Sequence, residues 1–218
     1  MNDRYRVFNV RRLFMDDIDK AVECYKCYDF LHLNPVDRQF LTHVMLCGQL
    51  WAVFDGEKMV GCSYMLPAQC KAFAQLNAAW EISDLLDDDL TDYLVCGYIW
   101  ADESMKNKNI YSALCRLWHA VAPDMNKSML LHYTPAHTWL SMPELLHSGM
   151  KLVGLRGLDK LVPHYIFTGT VGKFTMTENK SDTKYCHLSD TKMLSRLCEH
   201  GWHGVDISDD NIIFTPGR

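Results

Sequence analysis

The chain has 218 residues, 48% hydrophobic, with a formal net charge of −5. That composition supports a sizeable packed core and excludes disorder as the default, while the acidic balance argues against a broad nucleic-acid-binding face. No run of 18 apolar residues occurs, which excludes a spanning helix, and no export signal opens the chain, so a cytoplasmic location with its nine cysteines as thiols is expected.

Residues Tyr5 to Arg11 read as a strand, because Tyr5, Val7 and Val10 are β formers. Asp16 and Asp17 then open a helix whose apolar positions Ile18, Ala21, Val22 and Tyr25 recur at helical spacing. A second helix is expected from Asn34, with Pro35 at its first position and Phe40, Val44 and Cys47 along one face. Leu50 to Phe54 and Met59 to Leu66 are apolar runs on either side of Asp55-Gly56-Glu57-Lys58, the pattern of a β-hairpin. Ala68 to Leu76 suggests a helix and Ala79 to Leu86 a strand, with a loop at Asp87-Asp88-Asp89.

Tyr93 to Trp100 is apolar on both faces, as a central strand should be. A polar segment, Asp102 to Asn109, leads into a helix from Ile110 to Val121 with the stripe Ile110, Leu114, Leu117, Trp118 and Val121. Met129 to Tyr133 reads as a strand and Thr138 to His147 as a helix ended by Gly149. Met150 to Leu155 and Tyr165 to Thr168 complete the strands. Thr177 to Thr183 is linker-like, and one short helix is expected near Asp190 to His200. The division is then a domain over residues 1–172 and a linker with C-terminal extension over 173–218. The extension's Leu194, Leu197, Trp202, Ile212, Ile213 and Phe214 need cover, from the domain or from a homodimer partner.

This element order resembles the GNAT (GCN5-related) N-acetyltransferase superfamily over roughly residues 5 to 170. The local signals are Leu94 to Glu103 followed by Ser104 to Leu114, similar to the family's strand, pyrophosphate loop and helix. A further signal is His147 to Gly154, similar to its helix-to-strand turn. The implied fold is α/β: a mixed, splayed sheet flanked by helices. The implied co-substrate is acetyl-CoA or another acyl-CoA, with no metal. The implied reaction is transfer to a small-molecule or protein amine by direct attack on the thioester. Nucleic acid and membrane partners are not expected. An inactive CoA- or partner-binding protein and a nucleic-acid base modifier are the alternatives.

The resemblance assigns the pantetheine arm to Ile99, Trp100 and Ala101, and the diphosphate to Lys106, Asn107, Lys108, Asn109, Ile110, Tyr111 and Ser112. The family's loop carries Arg or Gln and two small residues where Lys106, Asn109 and Tyr111 stand here, so the motif is degenerate. A helix N-terminus still presents unpaired N–H groups to an anion. Asn109 replaces a glycine and is the ordinary residue most able to take a positive φ. Leu145 stands where many family members have the tyrosine that protonates the CoA thiolate. Tyr133 is the substitute chosen, with His132 and His137 as alternatives. Glu81, Asp84 and Glu103 are candidate bases. The acidic run Asp84, Asp87, Asp88, Asp89 and Asp92 is either a solvated loop or a collar for a cationic amine. Cys24 and Cys27, Cys115 and His119, and Cys198, His200 and His203 have partial metal-ligand spacing, but no set reaches four ligands.

Overall fold

The computed structural model describes residues 8–26, 36–71, 73–74, 77, 81–86, 89–105, 109–136, 141–157, 163–174 and 182–217. The described strands are β1 (Asn9–Arg12), β2 (Gln49–Asp55), β3 (Lys58–Pro67), β4 (Tyr93–Cys96), β5 (Trp100–Ala101), β6 (Met129–Pro135), β7 (Lys151–Arg156), β8 (His164–Thr170), β9 (Lys184–His187), β10 (Trp202–Ser208) and β11 (Asn211–Pro216). The helices whose bounds lie wholly among the described residues are α1 (Ile18–Tyr25), α2 (Arg38–Cys47), α3 (Ile110–Val121), α4 (Met142–His147) and α5 (Thr191–Glu199), and residues 71, 73, 74 and 77 are helical too.

All strands join one mixed sheet in the order β1-β2-β3-β4-β6-β8-β7-β10-β11-β9, with β5 beside β3. The hairpin β2–β3 turns at Gly56, whose φ of 60° is the left-handed value this tight turn needs. The pair β4–β6 is parallel, and α3 makes the crossover between them. The strand period of two divides the residues between two cores. Leu94, Cys96, Leu130 and Phe167 face α3, α4 and α5. Val95, Leu131, Tyr133 and Ile166 face α1 and α2. Gly61 on β3 admits the start of α3, since a Cβ there would meet Ile110 Cγ2 at 2.4 Å. That close approach sets the first turn of α3 against the strand pair Gly61–Ala101.

Several boundaries differ from the sequence expectation. The second helix begins at Arg38, capped by the Asp37 carboxylate, which accepts from Phe40 N at 2.7 Å. Residues 27–35, including Asn34 and Pro35, lie outside the described residues, as do Tyr5 to Val7 of the expected first strand and residues 177–181 of the expected linker. Of the strand expected over Ala79 to Leu86, residues 79–80 lie outside the described residues, and Ile82–Leu85 is a 3-10 turn. Its sequence lacks alternation: Ser83 and Asp84 are adjacent polar residues and Leu85 and Leu86 adjacent apolar ones. Ser83 N also donates to Asn77 Oδ1 at 2.8 Å, a bond that favours a turn. The C-terminal segment holds three strands besides its helix, and Gly204 pairs with Leu152 to continue the sheet past β7. Leu194, Leu197, Ile212 and Phe214 are buried against the same core as α3 and α4. Their cover thus comes from within the chain. Among the described residues, no helix is long and apolar enough to cross a membrane.

Candidate functional site

The expected single strand from Tyr93 to Trp100 is broken into β4 and β5 by a bulge. Met65 pairs with Cys96 and Cys62 pairs with Trp100, so Gly97, Tyr98 and Ile99 stand opposite only Ser63 and Tyr64. An extra residue on one strand bends it and ends regular pairing on its far side. The parallel register of β4 with β6 stops at Cys96–His132, while β6 continues against β8 to Pro135. The two central strands separate at this point. The bulge is fastened from within. Gly97 N donates to Tyr64 O at 2.7 Å, Ser63 Oγ donates to Gly97 O at 3.3 Å, and Trp118 Nε1 donates to Ser63 Oγ at 3.1 Å.

Four tyrosines and two histidines converge here. Tyr25 Oη donates to Tyr98 O at 2.9 Å, the Tyr98 hydroxyl bonds His164 Nε2 at 3.2 Å, and the Tyr64 and Tyr133 hydroxyls bond at 3.0 Å. The Tyr98 and Tyr133 rings meet edge to face at 5.3 Å. Burial pushes the Tyr133 phenol up to about 12, with the bond to Tyr64 pulling the other way. Burial raises Tyr64 and Tyr98 as well. All three therefore remain protonated at neutral pH and can donate. His132 Nδ1 donates to Cys96 O at 2.8 Å, and burial lowers the ring to about 4, so it is neutral.

The segment leaving β5 is also tied down. Asp102 pairs with Lys58 at 2.7 Å and accepts from Ser104 N at 2.9 Å, contacts that hold its carboxyl at about 2. Lys106, Asn107 and Lys108 lie outside the described residues. Asn109 precedes α3 with φ 58° and ψ 21°, the left-handed conformation anticipated for the residue standing in for glycine. Ile110 is buried beneath the helix start, and Tyr111 and Ser112 are half-buried. Tyr111 Oη reaches back to Ile99 O at 3.0 Å. One hydroxyl thereby links the first turn of α3 to the bulge.

The expected bases do not join this cluster. Glu81 is exposed with a left-handed φ of 50°, and Asp84 is exposed on the 3-10 turn rather than on a strand. Glu103 is exposed on the turn Glu103–Met105. Asp89 accepts from Thr91 N at 2.9 Å and so caps its own turn, while Asp87 and Asp88 lie outside the described residues. Leu145 is fully buried in the core, so that position offers no group to the site. His137 lies outside the described residues. His119 does not pair with Cys115 for a metal: its Nε2 donates to Ser148 O at 2.9 Å and its Nδ1 accepts from Gly172 N at 3.0 Å.

Sequence reasoning missed Tyr25, Tyr64, Tyr98 and His164. Tyr64 and Tyr98 sit in apolar strand runs where a buried phenol must find a partner, and that requirement was the available signal. The partners themselves come from distant segments.

No family model and no curated protein matches the sequence. Solved structures do match. A GNAT-family acetyltransferase from Bacillus cereus shares 15% identity with a TM-score of 0.56, over 77% of this chain and 99% of its own. The protein yncA from Salmonella typhimurium, solved with its cofactor acetyl-CoA, shares 8% identity with a TM-score of 0.56, over 80% of this chain and 99% of its own. An Escherichia coli N-acetyltransferase named for an alanine of a ribosomal protein shares 11% with a TM-score of 0.55, over 79% and 99%.

Proposed function

We propose that the chain, whose fold is that of the GNAT acetyltransferases, is an acyl-CoA-dependent N-acyltransferase that moves an acetyl group to a primary amine. The observation that carries this reading is the bulge at Gly97–Ile99, which parts β4 from β6 beside the N-terminus of α3. A parted strand leaves backbone groups for an extended pantetheine arm, and a helix N-terminus suits a diphosphate. Ile99, Trp100 and Ala101 take the arm in this reading, and Lys106 to Ser112 take the diphosphate.

The neutral amine attacks the thioester carbonyl. A backbone N–H at the end of the parted strand stabilises the oxyanion that forms. The tetrahedral species then collapses, the C–S bond breaks, and the CoA thiolate takes its proton from the Tyr133 hydroxyl. Tyr133 is suited to that role because its raised pKa keeps it protonated and Tyr64 can hand it a replacement proton. The amine loses its own proton to water.

The test is calorimetric titration with acetyl-CoA, followed by turnover on a panel of small-molecule and peptide amines. Asn109→Val should weaken acetyl-CoA at least several-fold, because a β-branched residue resists the φ of 58° seen there. Absence of binding at millimolar acetyl-CoA would sink the assignment. A second reading is a CoA-binding protein without turnover. It is favoured by the Tyr111–Ile99 bond, which occupies a backbone carbonyl at the bulge, and by the buried Leu145. Binding without product on any amine would select it.

A further inference from the structure

We propose that His43, Cys47 and Cys70 form a binding site for a zinc-class metal ion, at the carbonyl end of α2. One ligand atom from each residue lies within 4.8 Å of the other two. His43 Nε2 is 3.0 Å from Cys70 Sγ, and Cys47 Sγ is 3.9 Å from His43 Nδ1. His43 and Cys47 are one helical turn apart, so they share a face of α2.

The backbone fixes this meeting. Gly48 follows Cys47 directly, and a Cβ there would lie 2.1 Å from Met65 O, so the absent side chain lets the end of α2 press on β3. Cys70 sits in the turn that leaves β3. Its N–H donates to Pro67 O at 2.9 Å, and its own carbonyl accepts from Phe73 N and Ala74 N at 2.9 and 3.1 Å. Two anchored backbones thus hold two thiols and an imidazole together across 23 residues of sequence, from Cys47 to Cys70.

The donor set selects the ion. Two sulfurs and one ring nitrogen suit zinc and disfavour magnesium or calcium, which take oxygen ligands. Zinc bonds thiolate sulfur at about 2.3 Å and imidazole nitrogen at about 2.0–2.1 Å, so tetrahedral neighbours lie about 3.6–3.8 Å apart. A single ion takes only one ring nitrogen, so the Cys47 thiol, which lies 3.9 Å from Nδ1, or the ring itself turns for both sulfurs to meet the same nitrogen, a move the 4.8 Å spread of the three ligand atoms keeps small. Without the ion, the 3.0 Å contact between His43 and Cys70 is a hydrogen bond. The metal would replace the proton in it, and each thiol would lose a proton on binding. Two thiolates neutralise a divalent ion, and the carbonyl end of a helix favours positive charge. Cys47 is exposed and the other two are half-buried, so the fourth position is open to water. The ion would clip α2 to the chain leaving β3, the strand that carries Tyr64.

The probe is cobalt(II), which takes zinc's place and reports thiolate ligation by absorbance. Metal-free, reduced full-length chain is titrated with cobalt(II), then with zinc. The expected result is a thiolate-to-cobalt charge-transfer band saturating at one equivalent, bleached by zinc. Zinc should also raise the melting temperature. Cys47→Ser and His43→Gln should each weaken cobalt at least tenfold, and Cys47 is exposed, so its substitution leaves the core intact. Cys24→Ser, on α1, should change nothing. No thiolate band in excess cobalt, a band that survives both Cys47→Ser and Cys70→Ser, or a band lost in Cys24→Ser would overturn the site. None of these readouts involves CoA.

Discussion

Tyr64 and Tyr133 share a hydrogen bond of 3.0 Å although their strands, β3 and β6, are not neighbours in the sheet. β4 lies between them. The bond exists because Gly97 has no side chain: a Cβ there would lie 2.0 Å from the Tyr64 ring. The ring therefore lies across the bulge and carries its hydroxyl to Tyr133. The same residue that loosens β4 from its neighbour lets two phenols meet over the gap.

Gly97→Ala should separate them. The added methyl group has no free space, and overpacking of this kind costs about 1–3 kcal/mol. Urea denaturation should show a lower midpoint with an unchanged slope. An unchanged midpoint would mean that Tyr64 moves aside without cost.

Tyr133→Phe should separate chemistry from binding. Loss of one buried hydrogen bond costs about 1 kcal/mol of stability. Loss of the proton donor should lower kcat about 100-fold with KM for acetyl-CoA little changed. Tyr64→Phe should reduce kcat less, since it leaves Tyr133 able to donate. Equal, small effects of the two would remove Tyr133 from the proton-donor role.

Stability should fall at both ends of the pH range. His132 is lowered to about 4 by burial, so the unfolded chain takes up its proton first as pH falls from the ordinary value near 6.5. Its contribution is complete above pH 6.5 and is lost progressively down to pH 4, about 3 kcal/mol in all. His119 is lowered too, mainly by desolvation, and adds to the loss in the same direction. Tyr133 behaves oppositely: its raised pKa contributes stability below pH 10 that is lost as pH climbs toward 12. Denaturation midpoints between pH 4 and pH 8 check the acid arm, and His132→Phe should flatten it.

Truncation after Gly172 should cause aggregation or a lower melting temperature. It removes β10, the strand beside Leu152, and exposes the β7 edge. It also removes Leu194, Leu197, Ile212 and Phe214 from the core. A shortened chain that stays monomeric with an unchanged melting temperature would show that the segment adds nothing to the domain.

The sequence by itself determined the elements whose causes are local. Asp-Gly set the hairpin turn, the apolar stripe bounded α3 at Ile110 and Val121, and the left-handed φ of Asn109 followed from its side chain. Each rests on contacts a few residues apart. The bulge did not show in the same way, because Tyr93 to Trp100 is apolar throughout, and only the pairing with Cys62 and Met65 reveals the extra residue. The strands β9, β10 and β11 were missed because their residues show no clear period of two; β10 and β11 lie inside the sheet with β9 at its edge, and pairing with β7 and with one another supplies their hydrogen bonds. The phenol pair and the His43–Cys47–Cys70 cluster were decided by tertiary structure alone. Their members lie 69 and up to 27 residues apart. Nothing in the spacing of one segment can say which distant side chain will complete a hydrogen bond or a ligand set. That choice is made by sheet order and by two glycines, Gly97 and Gly48, whose missing side chains let the segments touch.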